Sequence, residues 1–257
     1  MNYAKIALRC LVAGLLACTA SAAAFAADGM PDSNMAASPA AALWAGGAFK
    51  SRVAAAFAGG VWAPMTHSLD ADGILVRGEY VYVKYDFNSS LSTTGSAEGK
   101  LNRANAQIGY QLVRYGFAGS LFVGPDYQDF SVAPSRAESH NVNDKLGAMF
   151  VGRVARAGMQ EFPASIEGNF STANSTYWAR ARAAMNFGQF AVGPELGALG
   201  NRDFDEGRYG AYTSINLGSS AMLQAALGYS DSFRRHVSAV AGGSGAYGEI
   251  SLIVLIY

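Results

Sequence analysis

The sequence predicts an all-β fold: an antiparallel, up-and-down transmembrane β-barrel of about 12 strands in an outer membrane. Three observations carry that expectation. Apolar and polar residues alternate with period two, connections alternate between short and long, and aromatic residues collect near the strand ends. Composition agrees, because the 257 residues include 30 glycines, 13 Tyr and 14 Phe, yet only 15% are charged. Strands with one face in lipid and the other in a polar lumen produce that mixture, whereas the open face of a soluble sandwich would carry more Lys and Glu.

At the start of the chain, Lys5 and Arg9 accompany an apolar stretch from Cys10 to Ala24, and Ala24-Phe25-Ala26 forms a small-residue cleavage site. Residues 1–26 are therefore expected to be a secretory signal. A lipid-anchor site at Leu15-Leu16-Ala17-Cys18 competes, but the apolar run continues past Cys18 to the better site. Both cysteines, Cys10 and Cys18, fall in this segment, so the exported chain is expected to fold without a disulfide. Removing Lys5 and Arg9 takes the 19 basic residues to 17 against 19 acids, which argues against nucleic acid as a partner. Later apolar runs are all broken before the roughly 18 residues that a membrane helix needs. Residues 27–42, rich in Ala, Ser, Pro and Asp, read as a disordered leader, and 43–257 as the barrel domain.

Alternation is clearest from Leu101 to Arg114, where Ala104, Ala106, Ile108, Tyr110 and Leu112 share one face and Arg103, Asn105, Gln107 and Gln111 the other. The same division separates Tyr177, Ala179, Ala181 and Ala183 from Arg180 and Arg182. It recurs where Ile166, Gly168 and Phe170 oppose Ser165, Glu167 and Asn169, and where Leu223, Ala225 and Leu227 oppose Gln224. Short connections are expected at Arg114-Tyr115-Gly116, Ala157-Gly158-Met159, Gly188-Gln189 and Gly218-Ser219-Ser220. Longer ones fall at Asn88 to Lys100, Ser131 to Asn143, Ser171 to Ser175, Asn201 to Glu206 and Ser232 to Ser244. The first pair of strands breaks the rule, with a short loop at Lys50-Ser51-Arg52 and a long one from Met65 to Gly73. Tyr115, Phe117, Phe187 and Phe190 mark one interfacial girdle; Tyr127, Phe130, Tyr177, Phe204, Tyr209 and Tyr229 mark the other.

Two stretches stand out: Phe122-Val-Gly-Pro-Asp126 and Phe190-Ala-Val-Gly-Pro-Glu195. Each sets Gly-Pro and an acid inside an apolar strand, where proline cannot donate to a ladder. Parity puts Val123, Pro125, Val192 and Pro194 towards lipid and Asp126 and Glu195 towards the lumen. There they join Arg77, Glu79, Arg103, Arg153, Glu167, Arg180, Arg182 and Arg208, and these ten groups are expected either to pair in a structural network or to contact a glycan. His67, His140 and His236 lie far apart in predicted connections and have no metal spacing, so no metal, cofactor or catalytic residue is assigned. Trp44, Trp62 and Trp178 suit either sugar stacking or interfacial anchoring.

In their order and spacing, Phe122-Val-Gly-Pro-Asp126, Ser171-Thr172, Tyr177-Trp178-Ala179-Arg180-Ala181, Val192-Gly-Pro-Glu195, Arg208-Tyr-Gly-Ala211 and Ser244-Gly-Ala-Tyr-Gly248 together resemble the bacterial cellulose biosynthesis protein BcsS family. The resemblance runs from about Leu43 to Tyr257. It implies an outer-membrane accessory of cellulose or exopolysaccharide production that is not an enzyme. The implied partners are outer-membrane lipid, cellulose or a related polysaccharide, and other cellulose-secretion proteins. Two alternatives remain: a barrel enzyme acting on lipid or glycan, and a packed scaffold barrel without transport.

Overall fold

A computed structural model describes residues 38–88, 96–133, 145–156, 162–200, 205–232 and 244–257. The expected signal, most of the leader, the 157–159 turn, Phe204, His140 and His236 lie outside the described residues. Twelve strands follow one another: β1 (Ala41–Lys50), β2 (Val53–Trp62), β3 (Gly73–Asn88), β4 (Ser96–Arg114), β5 (Phe117–Ala133) and β6 (Lys145–Arg156). Then come β7 (Ala164–Ser171), β8 (Thr176–Ala183, resuming as Met185–Asn186), β9 (Phe190–Gly200), β10 (Asp205–Asn216), β11 (Ala221–Ser232) and β12 (Gly245–Ile256). Each pairs antiparallel with the next, and β1 pairs with β12 from Ala41↔Ile256 to Lys50↔Tyr247, closing the sheet.

Closure leaves no open edge, so a strand-built wall can stand in hydrocarbon. Its outer face suits that solvent. Leu121, Ile166, Leu196 and Leu227 point outward and are exposed. Among the described residues, outward charges occur only towards the strand ends: Lys84, Asp86, Glu98, Lys100, Asp129, Asp205 and Asp231 at one rim, Arg114 and Arg156 at the other. Exposed Tyr80, Tyr127, Tyr209 and Tyr229 lie below the first rim; Trp62, Tyr115, Phe117, Phe187 and Phe190 ring the second. A closed barrel with an apolar belt between aromatic rings is an outer-membrane protein.

The connections at Tyr115-Gly116, 187–189 and 217–220 are short as the sequence predicts, with the same exceptions at the first strands. The β6–β7 connection, however, runs over seven residues, 157–163, longer than the three expected and longer than 172–175 and 201–204 on the other rim. Tyr115-Gly116 makes a two-residue hairpin in which both residues have positive φ (52° and 79°), the backbone that matches strand twist. That turn sits on the rim holding the start of β1 and the end of β12, which is therefore the periplasmic one. Several boundaries shift. β1 starts at Ala41 rather than Leu43, and β3 and β4 run through Asn88 and from Ser96, where a loop from Asn88 to Lys100 was expected. Asp205 and Glu206 likewise belong to β10, not to the loop before it. These strands extend because antiparallel pairing continues beyond the lipid belt, where charged side chains are free to face water.

The interior is less polar than alternation suggests. Phe57, Val81, Val83, Tyr85 and Leu101 all point inward and pack into one apolar cluster with Trp44, Phe122 and Met149. Both faces of β3 are apolar from Tyr80 to Val83, so period two could not separate them. Several inward aromatics lie flat on glycines of neighbouring strands: a Cβ on Gly99 would meet the Tyr85 ring at 2.1 Å, and one on Gly59 would meet Trp44 at 2.7 Å.

The two Gly-Pro-acid stretches use glycine differently. In both, the ladder to the preceding strand skips two pairs: none forms between Asn105↔Asp126 and Ile108↔Val123, or between Glu195↔Arg182 and Val192↔Met185. Pairing to the following strand is unbroken. Proline lacks the donor, and the glycine moves onto the neighbouring backbone, where a Cβ on Gly124 or Gly193 would lie 1.9 Å from the carbonyl oxygen of Ala106 or Ala183. Gly124→Ala and Gly193→Ala are expected to cut the yield of folded barrel several-fold, read as loss of the heat-modifiable gel band. Gly119→Ala, which meets nothing within 4 Å, should leave the band unchanged.

Candidate functional site: the lumen

All ten sequence-predicted site residues point into the barrel and are buried. They fall into neighbouring groups. Deepest is Asp126, 0% exposed, whose Oδ1 accepts from Arg103 Nε at 2.7 Å and whose Oδ2 accepts from Gln128 Nε2 at 2.8 Å and Ser171 Oγ at 2.6 Å. Three donors on one carboxylate offset the desolvation of its charge.

The second group spans β6 to β12 and takes in Lys50 at the end of β1. Arg182 Nε donates to Glu195 at 2.6 Å, and Tyr247 Oη donates to the other oxygen of that carboxylate at 2.9 Å. Arg180 donates to Glu167 and reaches Glu249 at 3.3 Å and Glu195 at 3.7 Å. Arg208 and Lys50 share Glu206 at 2.9 and 2.7 Å. Arg153 stands opposite Glu167 in the β6–β7 ladder. Most of these guanidinium groups also lie over an aromatic face: Arg180 on Trp178 at 5.1 Å, Arg182 on Tyr212 at 4.7 Å and Arg208 on Tyr247 at 5.2 Å. Each is held between a carboxylate and a ring, which fits a planar, weakly hydrated cation.

The third group is Arg77 and Glu79 on β3, 3.4 Å apart, with Arg77 over Trp44 at 5.4 Å. Trp44 and Trp178 thus serve arginines inside the barrel, and Trp62 alone of the three tryptophans takes the rim position. Lys50, Glu206 and Glu249 belong to the network but were not selected from sequence. Glu249 had a readable signal, since it shares inward parity with Tyr247 and Ser251 on β12; Glu206 was assigned to a loop. Among the described residues, the buried charges comprise seven cations (Lys50, Arg77, Arg103, Arg153, Arg180, Arg182, Arg208) and six anions (Glu79, Asp126, Glu167, Glu195, Glu206, Glu249), so this lining is nearly neutral. Among the described residues, no three His, Cys, Asp or Glu side chains are placed to hold a metal ion.

The long connection from Ala63 to Asp72 explains the exception at the first strands, because it folds into the periplasmic mouth. Leu69 and Ala63 are buried against the interior apolar cluster. Leu69 N–H donates to Pro39 at 2.8 Å, and Gln111, inward on β4, donates to the Leu69 carbonyl at 2.6 Å. Asp72 accepts from Val113 N–H at 2.7 Å and pairs with Arg114 at 2.6 Å. The Val113 amide first, and Arg114 beside it, hold the Asp72 carboxyl below its ordinary range.

The model of the cellulose biosynthesis protein BcsS family matches residues 42–256. The chain belongs to that family. The match covers the whole barrel, so the BcsS assignment rests on every strand. Among solved structures, an outer-membrane channel from Pseudomonas putida F1 is similar, with 8% identity, 88% of this chain and 100% of that chain covered, and a TM-score of 0.56. A deltaS2S3 mutant of TodX, described as a monoaromatic hydrocarbon channel, matches with 8% identity, 86% of this chain and 90% of that chain covered, and a TM-score of 0.54. At such identity the likeness is one of fold. No curated protein sequence matches the chain.

Arg103→Met or Asp126→Asn alone is expected to cost about 3–5 kcal/mol, because each strands a buried charged or polar partner. The double variant should lose clearly less than the sum of the two, as measured by urea unfolding in lipid vesicles. Asp72 has a depressed folded-state pKa, so its contribution is fully present above the ordinary value of 3.8 and is lost as pH falls through the lower folded-state value. Amide exchange at Val113 should therefore lose excess protection on acidification, relative to Asp72→Asn, in which the acid-dependent part is absent.

Proposed function

We propose that this barrel is a non-enzymatic outer-membrane accessory of cellulose or related exopolysaccharide production, acting in export or surface handling of the polymer. The observation that carries the reading is the family match along the entire barrel. The lumen chemistry supports it. A near-neutral lining of guanidinium, carboxylate, amide and aromatic groups suits weak, repeated contacts with hydroxyl-rich chains, and moving a polymer requires that no single contact be tight. Because the buried carboxylates are engaged by arginines, their chemistry favours contact and support over acid–base catalysis.

A second reading, a scaffold for other secretion proteins, is favoured by one observation: the lumen side chains are packed against one another. Two measurements separate the readings. Deletion of the gene should reduce secreted cellulose at least several-fold and plasmid-borne protein should restore it; unchanged secretion removes both. In planar bilayers an exporter should show channel events that increase when Arg180→Ala and Arg182→Ala thin the network. A scaffold stays silent in wild type and variants alike.

A further inference from the structure

Behind the folded-in connection lies a set of polar atoms that the barrel does not satisfy. Trp44 Nε1, Arg77 Nε, Glu79 Oε1, Asn105 Nδ2 and Gln107 Oε1 are buried without a partner at hydrogen-bonding distance. Internal bonds join the other ends of these side chains: Gln107 Nε2 donates to Asn105 Oδ1 at 3.2 Å, and Arg77 to Glu79 Oε2 at 3.4 Å. Asn105 also faces Glu79 directly in the β3–β4 ladder, and its side-chain amide is turned to that carboxylate as a hydrogen-bond donor, but the contact is too poorly formed to satisfy Glu79 Oε1 or Asn105 Nδ2. The five residues occupy two adjacent rows, Arg77↔Gln107 and Trp44↔Gly59↔Glu79↔Asn105. They form one patch.

Buried polar groups nearly always find partners, and leaving one unpaired costs about 1–3 kcal/mol. Five in one patch therefore imply an occupant. Three are donors (indole, guanidinium and amide N–H) and two are acceptors (a carboxylate and an amide oxygen), so a bare anion or cation would satisfy only one kind. A hydroxyl donates and accepts at once. Position indicates how the occupant enters. Leu75↔Gly109 and Gly73↔Gln111 are the next rows towards the periplasm, and Gln111 holds the Leu69 carbonyl of the folded-in connection there.

We propose that Trp44, Arg77, Glu79, Asn105 and Gln107 form a subsite for the hydroxyl groups of a neutral sugar, closed from the periplasm by residues 63–72. The proposal rests on the polysaccharide reading above and specifies where the polymer first meets the barrel. Opening withdraws Leu69 and brings the patch to the mouth; a sugar residue or water can then supply hydroxyls to the same five atoms.

The test is calorimetric titration of cellotetraose into the folded full chain in detergent. Leu69→Asp, which expels the connection, should bind at least tenfold more tightly than wild type, and adding Asn105→Ala and Gln107→Ala should abolish the gain. A second device holds the connection shut. A Cβ on Gly73 lies 3.8 Å from the Thr66 Cβ, the usual Cβ separation of a disulfide, so oxidised Thr66→Cys/Gly73→Cys should bind at least tenfold more weakly than its reduced form. Equal binding with and without Asn105 and Gln107, or none in either the Leu69→Asp protein or the reduced double-cysteine protein, overturns the subsite and leaves water as the occupant. If cellulose output still falls on gene deletion, that result removes the subsite alone and not the accessory role.

Discussion

Closure of the β1–β12 seam is the constraint on which the rest depends. In hydrocarbon an unpaired backbone amide has no water to turn to, so the sheet must close, and closure fixes every side chain as inward or outward. Once that parity is set, polar groups on the inward face are kept from lipid and turned towards one another. Arg103 with Asp126, Arg182 with Glu195 and Arg180 with its three carboxylates follow from this enforced company. A buried ion pair adds little net stability over a well-packed apolar substitute, but once one partner is present the other becomes compulsory.

The two Gly-Pro-acid stretches show how sequence delivers those partners. Proline releases one ladder position, glycine lets the strand close onto its neighbour, and the acid that follows lands opposite or beside an arginine on the preceding strand. Asp126 on β5 and Glu195 on β9 each accept from an arginine Nε of the preceding strand, Arg182 directly opposite Glu195 and Arg103 one inward row along from Asp126. A carboxylate placed by an interrupted ladder is held by backbone as well as by charge, which suits a lumen where a misplaced acid would be left unpaired.

Much of this was legible from residues alone. Period two in Leu101–Arg114 and Tyr177–Ala183 sorted inward from outward correctly because one face was polar and the other apolar. The same rule was blind along Tyr80–Val83, where both faces are apolar and Val81 and Val83 turn out to fill the core. Glu206 and Lys50 escaped notice because they stand at strand ends, where sequence gives no sharp boundary between turn and ladder. Glu249 had the right parity, but its partners Arg180 and Arg182 are distant in sequence, and local periodicity does not say which strands face across a barrel. The connection at Met65–Gly73 was visibly too long for its rim, yet nothing local indicated that Leu69 would fold inward.

That connection changes how the lumen is to be understood. Arginines held between carboxylates and rings make a stiff lining, and each guanidinium would need two partners broken to move. Residues 63–72 are tied differently: Asp72 anchors one end to exposed Arg114 and the Val113 amide, while Leu69 contributes one apolar side chain and a few hydrogen bonds. Local stability is lowest where few apolar contacts hold a segment. The barrel thus pairs a wall that resists rearrangement with a periplasmic stopper that can leave without disturbing it. The five polar atoms of the Trp44–Gln107 patch lie on the β1–β4 side, next to the stopper. Any change of state should therefore begin at the periplasmic mouth.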